Sequence, residues 1–151
     1  MSYSVIAVVI YLIFIGLAHI QTPDSYDWKR YPVGRLSART YQRYWILVLG
    51  NTLFAAIFLT GIALKLFNGT IDWMEQLPIA FFAFSIFMSS FFRPNPVSSE
   101  QHFSDRCDTL HNLFILLAGI SFLIGILIFF VSVTDITQKL VYLSFLVVLI
   151  I

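Results

Sequence analysis

Between Ser104 and Phe114 the chain reads SDRCDTLHNLF, and Asp105, Arg106, Cys107, Asp108, His111 and Asn112 stand directly in front of one of its most apolar segments. Asp108 and His111 are three residues apart, a spacing that places both on one face of a helix. There a carboxylate can orient an imidazole, with His111 as base or ligand and Asp108 behind it. A metal ion could draw on His102, Asp105, Cys107, Asp108, His111 and His19, although H-x-x-D-x-C-D-x-x-H is not a known ligand spacing. His19 and His111 could serve as paired axial ligands of a haem. A nucleophilic hydrolase could use Ser37, Ser104 or Cys107 with His111 and Asp108, but no nucleophile elbow surrounds any of them. The plain alternative is a polar helix start, with Asp108 or Thr109 as the cap and His111 hydrogen-bonded in place.

The elements that would carry these residues are apolar to an unusual degree. Of 151 residues 59% are hydrophobic and 11% are Asp, Glu, Lys or Arg, against roughly 25% charged in a soluble domain. A soluble chain of this length exposes too much of its surface to hide that composition. Five apolar segments follow one another, at about 4–20, 44–67, 77–92, 109–133 and 138–151. A hydrocarbon core of about 30 Å takes about 20 helical residues to cross. In lipid only a helix or a closed barrel satisfies its own backbone, and the long, non-alternating runs disfavour the barrel. The fold class is therefore all-α: a polytopic transmembrane helical bundle forming one domain over 1–151, with five visible helices. The first helix is expected to be retained rather than cleaved as a signal. The fifth segment ends at Ile151 without an interfacial anchor, which suggests a sixth helix truncated beyond it; a complete five-helix protein is the alternative.

Local signals refine the helices. Pro78 is expected in the first turn of the third helix, and RPNP at 93–96 at its end. Small residues at helix-packing spacing, Ser85 with Ser89, Ser121 with Gly125, and Ala56 with Thr60 and Gly61, are expected at helix contacts. Asn68-Gly69-Thr70 matches a glycosylation sequon. Tyr44, Trp45 and Trp73 sit at segment ends, where amphipathic rings favour the interface.

Lys and Arg concentrate in the first and third loops, which the positive-inside rule places in the cytoplasm with the N-terminus outside. Alternating topology then gathers His19, the loop 21–43, Arg93 and the run 100–112 at one membrane face. Lys29, Arg30, Arg35 and Arg39 in DWKRYPVGRLSARTYQR are candidates for contact with anionic headgroups. The net charge of +1 implies no nucleic-acid partner. With Cys107 as its one cysteine, the chain has no internal disulfide and no CxxC motif.

His19, Tyr26, VGRLSA at 33–38, the Asn51-bearing second segment, FFRPNP at 91–96 and DTLHNLF at 108–114 occur in an order that resembles the small polytopic bacterial membrane proteins of the domain-of-unknown-function 998 family. The resemblance implies six helices, a bacterial cytoplasmic membrane and a His-bearing start to helix four; it implies no activity. The function expected from all this is non-catalytic: an accessory subunit or lipid-interacting protein with a polar pocket at one membrane face. Its partners would be membrane lipids, other membrane subunits or further copies of the chain. The rival is a membrane-embedded hydrolase or transferase acting on a lipid-linked substrate through Asp108 and His111. A transporter is weaker, because mid-membrane charge and paired broken helices are absent.

Overall fold

In the computed structural model, described for residues 2–22, 26–27, 29–31, 33–38, 41–70, 73–95, 105–141 and 143, the regular elements are all helical. They are α1 (Tyr3–Ile20), a 3₁₀ turn (Val33–Ser37) in the first loop, α2 (Trp45–Phe67), α3 (Trp73–Phe91) and α4 (Asp105–Ser132). Helical backbone resumes at 136–141 and 143; the rest of the expected fifth segment, 142 and 144–151, lies outside the described residues. Among the described residues α1, α2 and α4 are long and apolar enough to cross a membrane, while α3 carries a shorter apolar stretch, Gln76–Phe91.

Helix starts fall earlier than the apolar runs do. α3 begins at Trp73, which puts Pro78 inside the helix, in its second turn, and not at its free start. There it removes one N–H from the helical ladder. α4 begins at Asp105, so Asp108 is a helical residue of the first turn and not the cap. Thr109 Oγ1 donates to Asp105 O at 2.8 Å. At 28 residues, α4 is about 42 Å long, so a layer of about 30 Å leaves its polar first turns outside.

The end of α2 gives the sequon another role. Gly69 has φ +61°, and its N–H bonds to Leu66 O while that of Thr70 bonds to Lys65 O, both at 3.0 Å. This is a Schellman closure, in which a left-handed glycine lets the last carbonyls of the helix find donors.

Each helix packs on the one before it: α1 on α2, α2 on α3, α3 on α4. One core cluster joins Ala7, Phe54, Ala55, Ala83, Ile86 and Ala118 across all four helices. Close approach depends on glycine at two α1–α2 crossings. A Cβ on Gly50 would stand 2.4 Å from Phe14 Cβ, and one on Gly61 would stand 2.5 Å from Tyr3 Cβ. Ser85, Ser89, Ser121 and Gly125 are buried as their spacing predicts, whereas Ala56 and Thr60 face outward. The outer surface is oily, with Val8, Leu12 and Ile13 of α1 and Leu116 and Leu127 of α4 all exposed. Such side chains are stable outward-facing in lipid and not in water.

Candidate functional site at the loop end

A second core cluster fixes where the first loop goes. Tyr26 and Leu36 pack with Ala18 from the end of α1 and with Ile46 and Leu47 from the start of α2. Tyr26 donates its hydroxyl to Tyr31 O at 2.9 Å. Burial, with Tyr41 nearby, holds that phenol above its ordinary pKa. The loop thus lies folded across the end of the helices, and the 3₁₀ turn is carried over to α4.

The contact with α4 is polar. Arg35 Nη1 donates to Asp108 Oδ1 at 2.5 Å and to Asn95 O at 3.1 Å. The Asn95 N–H donates to the same carboxylate oxygen at 2.9 Å. Asn112 Nδ2 donates to Asp108 Oδ2 at 3.3 Å. One carboxylate therefore joins the first loop, the α3–α4 connection and the first turn of α4. Near the start of α4 it also faces the positive end of the helix dipole.

His111 does a different job from the one its spacing suggests. It is buried, at 4% exposure, and its Nδ1 lies 2.9 Å from both Ser89 O and Phe92 O. Two carbonyl partners require Nδ1 to carry the proton and donate. These oxygens belong to the end of α3, where a helix runs out of internal donors. His111 is thus a cap supplied by α4 to its neighbour. Its Nε2 faces the 3₁₀ turn, 3.1 Å from where a Cβ on Gly34 would be. The Asp108 carboxylate that spacing assigns to orienting His111 is engaged by Arg35, Asn95 and Asn112 instead.

The other sequence-derived candidates fall as follows. His19 is exposed in the last turn of α1, its ring centroid 6.2 Å from that of Tyr26. It shares an end of the molecule with His111, since the loop that packs on Ala18 also reaches Asp108, but that loop lies between them. Asp105 is exposed and Cys107 half-buried; His102 and Arg39 lie outside the described residues. Among the described residues no three His, Cys, Asp or Glu side chains converge as a metal would require. Lys29 and Arg30 are exposed, with Arg30 Nε 3.3 Å from Asp27 Oδ2. Arg35 is turned inward to Asp108.

The sequence predicts a polar pocket at one membrane face beside His19 and His111, but not the residues that line the cavity found at the loop end. A pocket of about 370 Å³ opens between the ends of α1 and α2, with Gln21, Tyr41, Gln42 and Arg43 as its polar lining. Arg43 Nη1 donates to Gln21 Oε1 at 2.8 Å. Nearby, the Arg93 guanidinium lies 4.2 Å from the centroid of the Tyr44 ring, the residue preceding α2, a cation–π distance. The available signal was a cluster of long polar side chains at the two helix ends that flank one loop.

No protein-family model matches the chain, and neither a curated protein nor a solved structure does. The resemblance to the domain-of-unknown-function 998 family therefore rests on the short motifs alone.

Proposed function

We propose that this chain is a non-catalytic, lipid-interacting membrane protein whose loop end engages the headgroup layer. The observation that carries the reading is the polar pocket between α1 and α2, placed at the end of an otherwise oily molecule. Trp45, the first residue of α2, is 53% exposed beside that pocket, as an interfacial ring would be. Lys29 and Arg30 stand outward on the same loop end, where ammonium and guanidinium groups meet phosphates. The enzymatic alternative draws no support from the Asp108–His111 geometry. An acid–base pair needs a ring nitrogen within reach of a substrate, but His111 is 4% exposed, with Nδ1 on two backbone carbonyls and Nε2 toward the 3₁₀ turn at Gly34. Cytoplasmic placement of the loop end and a bacterial cytoplasmic membrane complete the proposal.

The test is fractionation followed by lipid analysis. The protein is expected to stay with membranes through alkaline carbonate, and to co-purify in mild detergent with anionic phospholipid enriched over the bulk membrane. Release by carbonate would remove the membrane reading. Co-purifying lipid of bulk composition would remove the lipid-interacting one.

A further inference from the structure

The pocket between α1 and α2 has a chemical polarity of its own. Its buried lining is apolar, from Ala18, Leu36 and Ile46, while Gln42 and Arg43 stand at the exposed side. Tyr41 lines it, and the Tyr41 hydroxyl oxygen, buried against the protein, makes no hydrogen bond among the described residues. A buried hydroxyl without a partner is unusual, because native interiors pair nearly all such groups. Arg43 is in a related situation. Its one bond is to a neutral amide, and among the described residues no carboxylate offsets its charge. The other two arginines of the loop that are described differ: Arg30 has Asp27 and Arg35 has Asp108.

From these features we infer that the pocket is a site for a phosphoryl group carried by an anionic phospholipid, with Arg43 and the Tyr41 hydroxyl donating to its oxygens. The inference rests on the lipid-interacting reading above and makes it specific. Guanidinium and phenol are both donors, and a phosphate diester is an acceptor on every exposed oxygen. The apolar lining fits the glycerol and first methylenes behind a phosphate, which a free phosphate ion would leave uncovered. Lys29 and Arg30 lie outside the pocket's lining and would contribute only diffuse attraction.

The experiment titrates the detergent-purified full chain with dioctanoyl phosphatidylglycerol while following thermal unfolding. Dioctanoylglycerol and inorganic phosphate serve as the two separate halves of the ligand. The expected result is a saturable rise in melting temperature with the phospholipid and none with dioctanoylglycerol. Arg43→Gln should raise the half-saturating concentration by at least about tenfold, the factor that one lost charge-assisted hydrogen bond gives. Tyr41→Phe removes only the hydroxyl, keeps the ring packed, and should raise it about threefold or more on the scale of a neutral bond. Lys29→Gln with Arg30→Gln, which removes only the screened diffuse attraction, should raise it by less than about twofold. If Tyr41→Phe and Arg43→Gln both saturate as the unmodified chain does, the pocket assignment falls, whether or not the protein still enriches anionic lipid. If inorganic phosphate alone saturates at the same concentration, the lipid is overturned as the source of the phosphoryl group.

Discussion

Removing His111 and restoring volume from the other side tests whether that residue is a cap or a chemical group. In His111→Ala the Ser89 carbonyl, which is buried, loses its donor, while water can reach the partly exposed Phe92 carbonyl. An unsatisfied buried carbonyl costs about 1–3 kcal/mol, and the vacated ring adds a cavity, so about 3 kcal/mol in all is expected. On a chain of this size that corresponds to a melting temperature lower by roughly 6–12 °C. Gly34→Ala provides the second arm. Its new Cβ would stand 3.1 Å from His111 Nε2, and two 2.9 Å contacts hold the ring from the far side. The ring cannot yield, so overpacking of about 1–2 kcal/mol is expected. Gly69 is the glycine with positive φ among the described residues, so backbone strain does not complicate an alanine at Gly34. In the double variant the methyl group enters space the imidazole has left, and its cost should vanish. Thermal unfolding of the four proteins in one detergent yields a coupling of about 1–2 kcal/mol in the compensating direction. Simple additivity, or a His111→Ala protein as stable as its parent, would refute the capping argument.

Two further outcomes follow from contacts elsewhere. Arg35 and Asp108 are each about a quarter exposed, at 25% and 23%, so a cycle of Arg35→Gln and Asp108→Asn should give a coupling of about 1–2 kcal/mol by thermal unfolding, between the values for surface and buried pairs; a coupling below about 0.3 kcal/mol would mean the bond does not hold the loop. Gly69→Ala should destabilise by about 1–2 kcal/mol because φ is +61°, while Gly69→Asn should cost much less; equal losses in the two would show that the Schellman closure is not what ends α2.

Much of the fold could be read from the sequence because lipid-length apolar runs leave few alternatives. The errors cluster where hydropathy and hydrogen bonding part company. Residues 73–76 and 105–108 belong to the α3 and α4 helices by backbone bonding, yet they lie outside the apolar runs at 77–92 and 109–133. In α2, apolar on every side, composition could not say which face is inward; Gly50, Asn51, Phe54 and Ala55 are buried while Ala56 and Thr60 are not. Asp108 and His111 were correctly recognised as neighbours on one helix face. What local spacing could not reveal is that Arg35, 73 residues away, takes the carboxylate, or that the end of α3 takes the imidazole. The glycine after α2 carries two signals at once, a helix stop and the middle of a sequon; only the first is expressed in the backbone, at φ +61°. The lining of the pocket was the least legible feature, since Gln21, Tyr41, Gln42 and Arg43 look like ordinary interfacial residues until the folded chain brings the end of α1 beside the start of α2.

The lock on α4 and the pocket between α1 and α2 meet in one short element. Arg35 and Leu36 are consecutive residues of the 3₁₀ turn, and Ser37 Oγ closes that turn on Gly34 O at 2.7 Å. Arg35 reaches to Asp108 while Leu36, 5% exposed, lines the pocket. A turn of five residues has little freedom to move one of these positions without the other. The polar groups at the start of α4 therefore act on the pocket at a distance, by holding the turn that supplies its apolar wall. His111 stands beside the same turn: its ring donates to the end of α3 from Nδ1, and its Nε2 lies 3.1 Å from where a Cβ on Gly34 would be. The residues that look most chemical in the sequence, Asp108 and His111, hold the turn and the end of α3, while Gln21, Tyr41, Gln42 and Arg43 are the lining residues of the pocket that carry side-chain donors.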